Sequence, residues 1–265
     1  MNPEIDTSKP HSARVYDYWL GGKNNYEVDA EAGRRFEEMW PGVRALIAAN
    51  RAFMHRATRF LAGEAGIRQF LDIGTGIPTE PNLHQIAQQS APDSRVVYAD
   101  NDPIVLQYAQ ALLRSRPEGR TAYLHADVTD PQAILTSPEV RETLDLEQPV
   151  ALSLVALLHF IADDGTATDI VRRLLEPLAP GSYLVISHGT EDAEEAEVSE
   201  RAAEYYRSKV SDGQARPYGT ILSLFDGLEM VEPGLVPVTR WRPETEDPGL
   251  PDSKALILAG VARKP

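Results

Sequence analysis

The chain has 265 residues, 42% hydrophobic and 25% charged, ordinary globular values that suit one large α/β domain with additions. Its net charge of −14 repels phosphate backbones, so nucleic acid is a poor substrate class. Cysteine is absent, which excludes disulfides and thiolate metal sites; residues 1–10 have no apolar signal core, and the longest apolar run, 150–161, is too short to span a bilayer.

A cytoplasmic chain with no membrane partner is therefore expected. In chain order, residues 1–66 come before any strand pattern and read as loop plus helices, at 28–40 and 44–62. This segment is expected to form a helical cap. Its opening is dense in Arg14, Tyr16, Tyr18, Lys23, Asn24 and Asn25, and Gly21-Gly22 permits a sharp turn or a close backbone approach. Two readings stay open: a binding surface, or a buried polar network tying the cap to the rest of the chain. Tyr16 or Tyr18 could serve both.

Residues 70–76 read Phe-Leu-Asp-Ile-Gly-Thr-Gly. Phe70, Leu71 and Ile73 suit a buried parallel strand. Gly74 and Gly76 suit a tight turn at a ligand. Asp72 falls at the carboxyl end of the strand, where open α/β sheets bind ligands. A nicotinamide dinucleotide fingerprint needs a third small residue, and that position is Thr79. Pro78 also delays the helix that follows, moving its amides away from a pyrophosphate. A P-loop lysine is missing too.

Strands and helices then alternate. A helix carries Leu83, Ile86 and Ala87, a strand over 95–99 is closed by Asp100, and Pro103 opens a helix with an apolar face that includes Leu112 and Leu113. A strand over 121–126 ends at Asp127, and Asp130-Pro131 starts a short helix. The apolar run 149–158 reads as a central strand, 168–178 as a helix and 182–187 as the next strand. Residues 190–226 read as a helical insertion on the ligand edge, a candidate lid, with the acidic face 191–200 better read as a solvated cover. The strands at 228–238 and 254–262 have only a proline-rich link (Pro243, Pro248, Pro251) between them, so antiparallel pairing is expected. The pattern predicts a doubly wound α/β sheet, mostly parallel, over residues 67–265.

Three acids thus end three successive strands. Asp100 can accept hydrogen bonds from both hydroxyls of a ribose. Asp102 and Asp130, each before a proline, read as helix caps, and for Asp127 cap and ligand are equally open. The D-x-G-x-G at residues 72–76 resembles the first motif of Rossmann-like S-adenosylmethionine-dependent methyltransferases.

The N-terminal run 5–25, from Ile-Asp-Thr-Ser-Lys-Pro-His-Ser-Ala-Arg-Val-Tyr-Asp-Tyr-Trp to Leu-Gly-Gly-Lys-Asn-Asn, is similar to the opening of one actinobacterial family of these enzymes, long catalogued as a domain of unknown function. Asn50-Arg51-Ala52-Phe53, Tyr98-Ala99-Asp100-Asn101-Asp102-Pro103, Leu158-His159-Phe160 and Phe225-Asp226-Gly227-Leu228 agree with it, so the resemblance covers nearly the whole chain. Trp19 departs from it, standing where leucine is expected. The resemblance implies a seven-stranded sheet with a C-terminal antiparallel hairpin, S-adenosyl-L-methionine as cofactor, and a methyl acceptor that it does not identify. A small molecule is the expected acceptor class. The implied cofactor-binding set is Asp72, Gly74, Thr75, Gly76, Asp100, Asn101, Asp127 and Val128, with Asp127 by the adenine amino group.

His159, at the end of the central strand, is the first candidate for a general base, and Tyr16 and Tyr18 are further catalytic candidates. His188 is second to His159, and Asn82 and His84 are weaker candidates for the cofactor's carboxylate. A hydrogen-bonded structural histidine is the competing reading for His159. No metal-ligand spacing stands out. A non-catalytic S-adenosylmethionine-binding or regulatory protein is the alternative function, ahead of a nicotinamide oxidoreductase.

Overall fold

The computed structural model describes residues 6–112, 115–192, 196–244 and 256–265. Three helices come first: α1 Ser12–Trp19, α2 Glu27–Met39 and α3 Val43–Arg59, the last continued by a π-helical turn, Phe60–Glu64. The expected 28–40 and 44–62 helices are thus present within a few residues. α1 is an addition to the expectation, and His11 caps it by accepting from the Ala13 N–H.

The strands β1 Gln69–Ile73, β2 Arg95–Asp100, β3 Arg120–His125, β4 Ala151–Val155 and β5 Tyr183–Gly189 pair in parallel in the order β3-β2-β1-β4-β5. Between them run α4 Leu83–Ser90, α5 Pro103–Leu112, α6 Pro131–Thr136, α7 Pro138–Thr143 and α8 Asp164–Leu175. Each short helix after β3 has proline at its first turn and a side-chain cap, Asp130 for α6 and Ser137 for α7. Asp102 also acts as expected, accepting from the Ile104 N–H at 2.9 Å. After β5 come α9 Ala196–Lys209 and α10 Tyr218–Ser223.

The sheet ends in β8 Ile257–Arg263, antiparallel to β5. The strand expected over 228–238 is two short strands on the outer edge of β8, β6 Glu229–Met230 and β7 Val236–Pro237. Val231 and Gly234 close a turn between them, and Gly234 takes the left-handed backbone that glycine tolerates. Pro233 has no N–H to give a continuous ladder. Among the described residues the sheet therefore counts eight strands across seven positions. The link at Pro248 and Pro251, the strand start at Lys254 and helix position Leu113 lie outside the described residues.

Alternation along the strands sorts the core into two layers. Phe70, Val96, Tyr98, Ala151 and Val185 pack with α1, α3 and α4 on one face. Leu71, Ile73, Val97, Leu152 and Ile186 pack with α6, α7, α8 and α10 on the other. Asp72 shares the period-two face of Phe70, and Asp100 that of Tyr98, so both carboxylates look toward the N-terminal helices. Among the described residues no helix is long and apolar enough to cross a membrane.

Candidate active site

A cavity of about 1110 Å³ opens at the carboxyl ends of the parallel strands. Its floor holds Asp72, Gly74, Thr75, Gly76, Asp100, Asn101, Asp127 and Val128, all eight residues expected to bind cofactor. Its walls come from α1, α2 and α3, from the segment after β4, and from α9 with the loop that follows it.

The glycine turn is built around backbone contacts. The Gly74 N–H donates to the Ala99 carbonyl at 2.8 Å, and the Gly76 N–H donates to Oδ2 of Asp100 at 2.8 Å. Both glycines have positive φ, +72° and +65°. A Cβ at Gly74 would lie 2.6 Å from Leu157 Cδ1, whereas a Cβ at Gly76 would meet only open space. Helix α4 starts at Leu83, well past the turn, as Pro78 predicted.

Asp72 is buried, and desolvation pushes its carboxyl up to about 6 against the favourable hydroxyls of Ser153 and Thr75. Asp100 is also buried and raised by desolvation, with the Asp102 and Gly76 amides opposing the rise. Those amides each occupy one lone pair, leaving the carboxylate further acceptor capacity. Asp127 is exposed and caps no helix. Its Oδ1 accepts from the Thr129 N–H and hydroxyl, and its Oδ2 from Asn101 Nδ2 at 3.0 Å. Against partial desolvation these bonds hold its carboxyl below the usual range.

Tyr16 lines the cavity, and its hydroxyl accepts from Asn50 Nδ2 at 3.0 Å. Burial raises its pKa, so the phenol is neutral. Tyr18 points elsewhere: the Arg44 guanidinium lies 4.6 Å over its ring, which packs against Gly33, and it does not line the cavity. Most other polar groups of the N-terminal run form a buried network. Asp29 accepts from the amides of His11 and Tyr26 and pairs with Arg14, while Asp17 accepts from the Asn24 amide and the Asn25 side chain. The buried-network reading therefore describes most of the run, while Tyr16 lines the cavity.

His159 lies in a 3₁₀ turn, Leu158–Phe160, just after β4, and faces the cavity. Burial, with His188 and Arg216 nearby, lowers its pKa to about 3, so the imidazole is neutral. His188 sits behind it as a structural residue. Its Nδ1 is 2.7 Å from the Gly189 carbonyl and its Nε2 is 2.7 Å from an Arg216 nitrogen. His84 and Asn82 turn away from the cavity: His84 bonds the Tyr98 hydroxyl at 2.9 Å, and Asn82 caps α4.

Two arginines had no role assigned from sequence. Arg51 lines the cavity near Asp72 and Tyr16, its guanidinium on the carbonyls of Thr79 and Pro81. Arg216 is buried and donates to the carbonyls of Leu158 and Ile161 and to His188, and pairs with Asp164. It ties the insertion to the turn that carries His159. The sequence context Ala-Arg-Pro gives no local sign of this, because all its partners are more than 25 residues distant. At the end of β4 Ala156 has φ +54°, a strained backbone beside the cavity, held by the Ser187 hydroxyl and carbonyl.

The model of the S-adenosyl methyltransferase family matches residues 1–265. The chain belongs to this family. A DUF574 family protein from Streptomyces avermitilis MA-4680 is 53% identical over 99% of this chain and 100% of its own, with a TM-score of 0.95. A candidate methyltransferase from Thermobifida fusca YX is 41% identical over 99% and 97%, with a TM-score of 0.90. An O-methyltransferase family protein from Burkholderia thailandensis, 14% identical over 86% of this chain and 61% of its own at a TM-score of 0.53, shares the fold alone. No curated protein matches the chain.

The cofactor of this S-adenosyl methyltransferase family member is S-adenosylmethionine, and the donor set suits it. Asp100 offers a carboxylate to a diol, and Gly76 leaves the space beside it unfilled. Three carboxylates at neighbouring strand ends repel a pyrophosphate, which leaves the nicotinamide reading without support.

Proposed function

We propose that this methyltransferase acts on a small molecule enclosed between the strand ends and the N-terminal helices. The observation that carries the reading is the continuity of one cavity from Asp72 and Asp100 to the wall formed by α1, α2 and α9. An acceptor site roofed in this way suits a small ligand better than a duplex or a protein surface. The charge of −14 argues the same way against nucleic acid, and a cysteine-free chain suits the cytoplasm. Residues 1–66 act as the cap, and residues 67–265 carry the cofactor, with the 190–226 insertion closing the far wall.

In this reading Asp100 holds the ribose hydroxyls, Asp127 and Val128 border the adenine, and Gly74, Thr75 and Gly76 lie under the methionine part. Asp72 and Arg51 face its amino and carboxylate groups. When bound, the cofactor supplies an electrophilic methyl on a sulfonium, which a lone pair of the acceptor takes as the carbon–sulfur pair returns to sulfur. Tyr16, held by Asn50, donates a hydrogen bond that orients the acceptor. His159 shapes the reaction chamber as a neutral imidazole.

Isothermal titration with S-adenosylhomocysteine tests the assignment. Asp100→Ala should weaken binding by about 2 kcal/mol, roughly 30-fold, the scale of a charge-assisted hydrogen-bond pair. Equal affinity in both proteins would remove Asp100 from the site. The depressed pKa of His159 favours one second reading, a non-catalytic binding protein, because a group of pKa about 3 is a weak base. Methyl transfer to any member of an acceptor library would eliminate it.

A further inference from the structure

The end of the cavity away from the strand ends has its own chemistry. The whole cavity, about 1110 Å³, exceeds the roughly 300–1,000 Å³ of single-ligand pockets. Its far wall is aromatic: Trp19 from α1, Phe36 from α2, Trp40 just after α2, and Tyr206 from α9. Phe36 touches the other three, with ring centroids 5.1 Å from Trp19, 5.9 Å from Tyr206 and 6.4 Å from Trp40. Trp19 and Tyr206 stack at 6.1 Å. Leu46 and Ile47 of α3 add aliphatic surface.

These rings contact one another directly, so they form a continuous wall. An ammonium cage would instead need rings standing apart around a common centre. The charged residues that line this side, Glu191, Arg207 and Asp212, are solvent-exposed. Arg51 is engaged with carbonyls at the strand-end side. The Tyr206 hydroxyl makes no hydrogen bond among the described residues, although burial raises its pKa and keeps it neutral. A neutral, unpartnered phenol in an apolar wall is a ready partner for one polar substituent.

We propose that this aromatic end is the acceptor subsite and that it takes a flat, uncharged aromatic molecule carrying a hydroxyl or carbonyl for Tyr206. The proposal rests on the cofactor occupying the strand-end side. Burying a planar ring against Phe36 and Trp40 removes apolar area from water on both partners, and ring contact adds to it. A charged acceptor pressed against these rings would lose hydration with no charged partner in the aromatic wall itself.

The test uses the full chain saturated with S-adenosylhomocysteine, titrated calorimetrically with 2-naphthol, tetramethylammonium and 1-octanol as separate probes. 2-Naphthol should bind saturably at one equivalent. Tyr206→Phe should weaken it about fivefold through the lost hydrogen bond. Phe36→Leu should weaken it about fivefold through lost ring contact. S-Adenosylhomocysteine affinity should hold within about twofold in both variants, which also reports that they fold. Tyr206→Phe removes only an unpartnered hydroxyl, so it remains informative should Phe36→Leu fail to fold. Absence of saturable 2-naphthol binding up to about 2 mM, tighter binding of either other probe, or full affinity in both variants would overturn the proposal. Failure of S-adenosylhomocysteine to bind the wild type would instead overturn the cofactor placement on which it rests.

Discussion

The backbone N–H of Gly76 donates to Oδ2 of Asp100 at 2.8 Å, joining the glycine turn after β1 to the acid that ends β2. The bond orients a carboxylate toward the cavity and holds a glycine whose Cβ would meet only open space. Gly74, two residues earlier, has a different task, since Leu157 packs where its Cβ would be. Alanine at either position pays about 1–2 kcal/mol for a left-handed backbone. Gly74→Ala should lower Tm further than Gly76→Ala because of the Leu157 overlap. Gly76→Ala should keep the fold and lose about tenfold or more in S-adenosylhomocysteine affinity. Thermal melts paired with calorimetry separate the two effects.

Asp72 stores a conflict between stability and binding. Its folded pKa of about 6 lies above the ordinary 3.8, so the fold favours the protonated form. The stabilisation is complete below about pH 3.8 and is lost as pH rises through about 6. At pH 8 the buried carboxylate therefore costs about 3 kcal/mol. Asp72→Asn should raise Tm at pH 8, by more than it does at pH 5, while weakening cofactor binding. A Tm gap that is equal at the two pH values would remove the linkage.

His159 should remain neutral through the physiological range. Its pKa falls to about 3 from an ordinary 6.5, so its contribution to stability is present above pH 6.5 and fades as pH drops toward 3. The ring carbon and proton NMR shifts of His159 should stay constant from pH 8 to about pH 5. A midpoint near 6.5 would restore it as a conventional general base.

Arg216 should matter to the fold far more than its position in an insertion suggests. Replacing it with glutamine leaves the Leu158 and Ile161 carbonyls and His188 short of donors in a buried site. Breaking such a network costs about 3–5 kcal/mol. Urea denaturation of Arg216→Gln should show a loss of that size, and the same variant should change the protection of the 158–161 turn in hydrogen exchange.

Much of the architecture was legible along the chain because parallel strands buried on both faces leave apolar runs, and the turns between them carry Gly, Pro and Asp. Residues 70–73, 95–100 and 182–187 were placed nearly to the residue for that reason. The break between β6 and β7 was less legible: Val231-Glu232-Pro233-Gly234 contains both turn residues, but the apolar pattern on either side masks them. The acids at 72, 100 and 127 were found by position at strand ends, and all three face the cavity. Tyr16 and Tyr18 could not be told apart from sequence. They lie two residues apart on α1, about 200° around a helix, so only one can face the cavity.

The amino-acid sequence by itself determined the strand and glycine turn at residues 70–76, the acids that end the strands and the family resemblance, since these depend on local periodicity and short motifs. The tertiary structure decided what lines the cavity beyond the strand ends. Trp19, Phe36, Trp40 and Tyr206 converge from segments up to 187 residues apart, and the Arg216 side chain reaches partners 28 to 58 residues away. Apolar and aromatic residues at helical spacing read the same whether they fill a core or line a chamber. Only the packing of α1, α2 and α9 around the strand ends distinguishes the two.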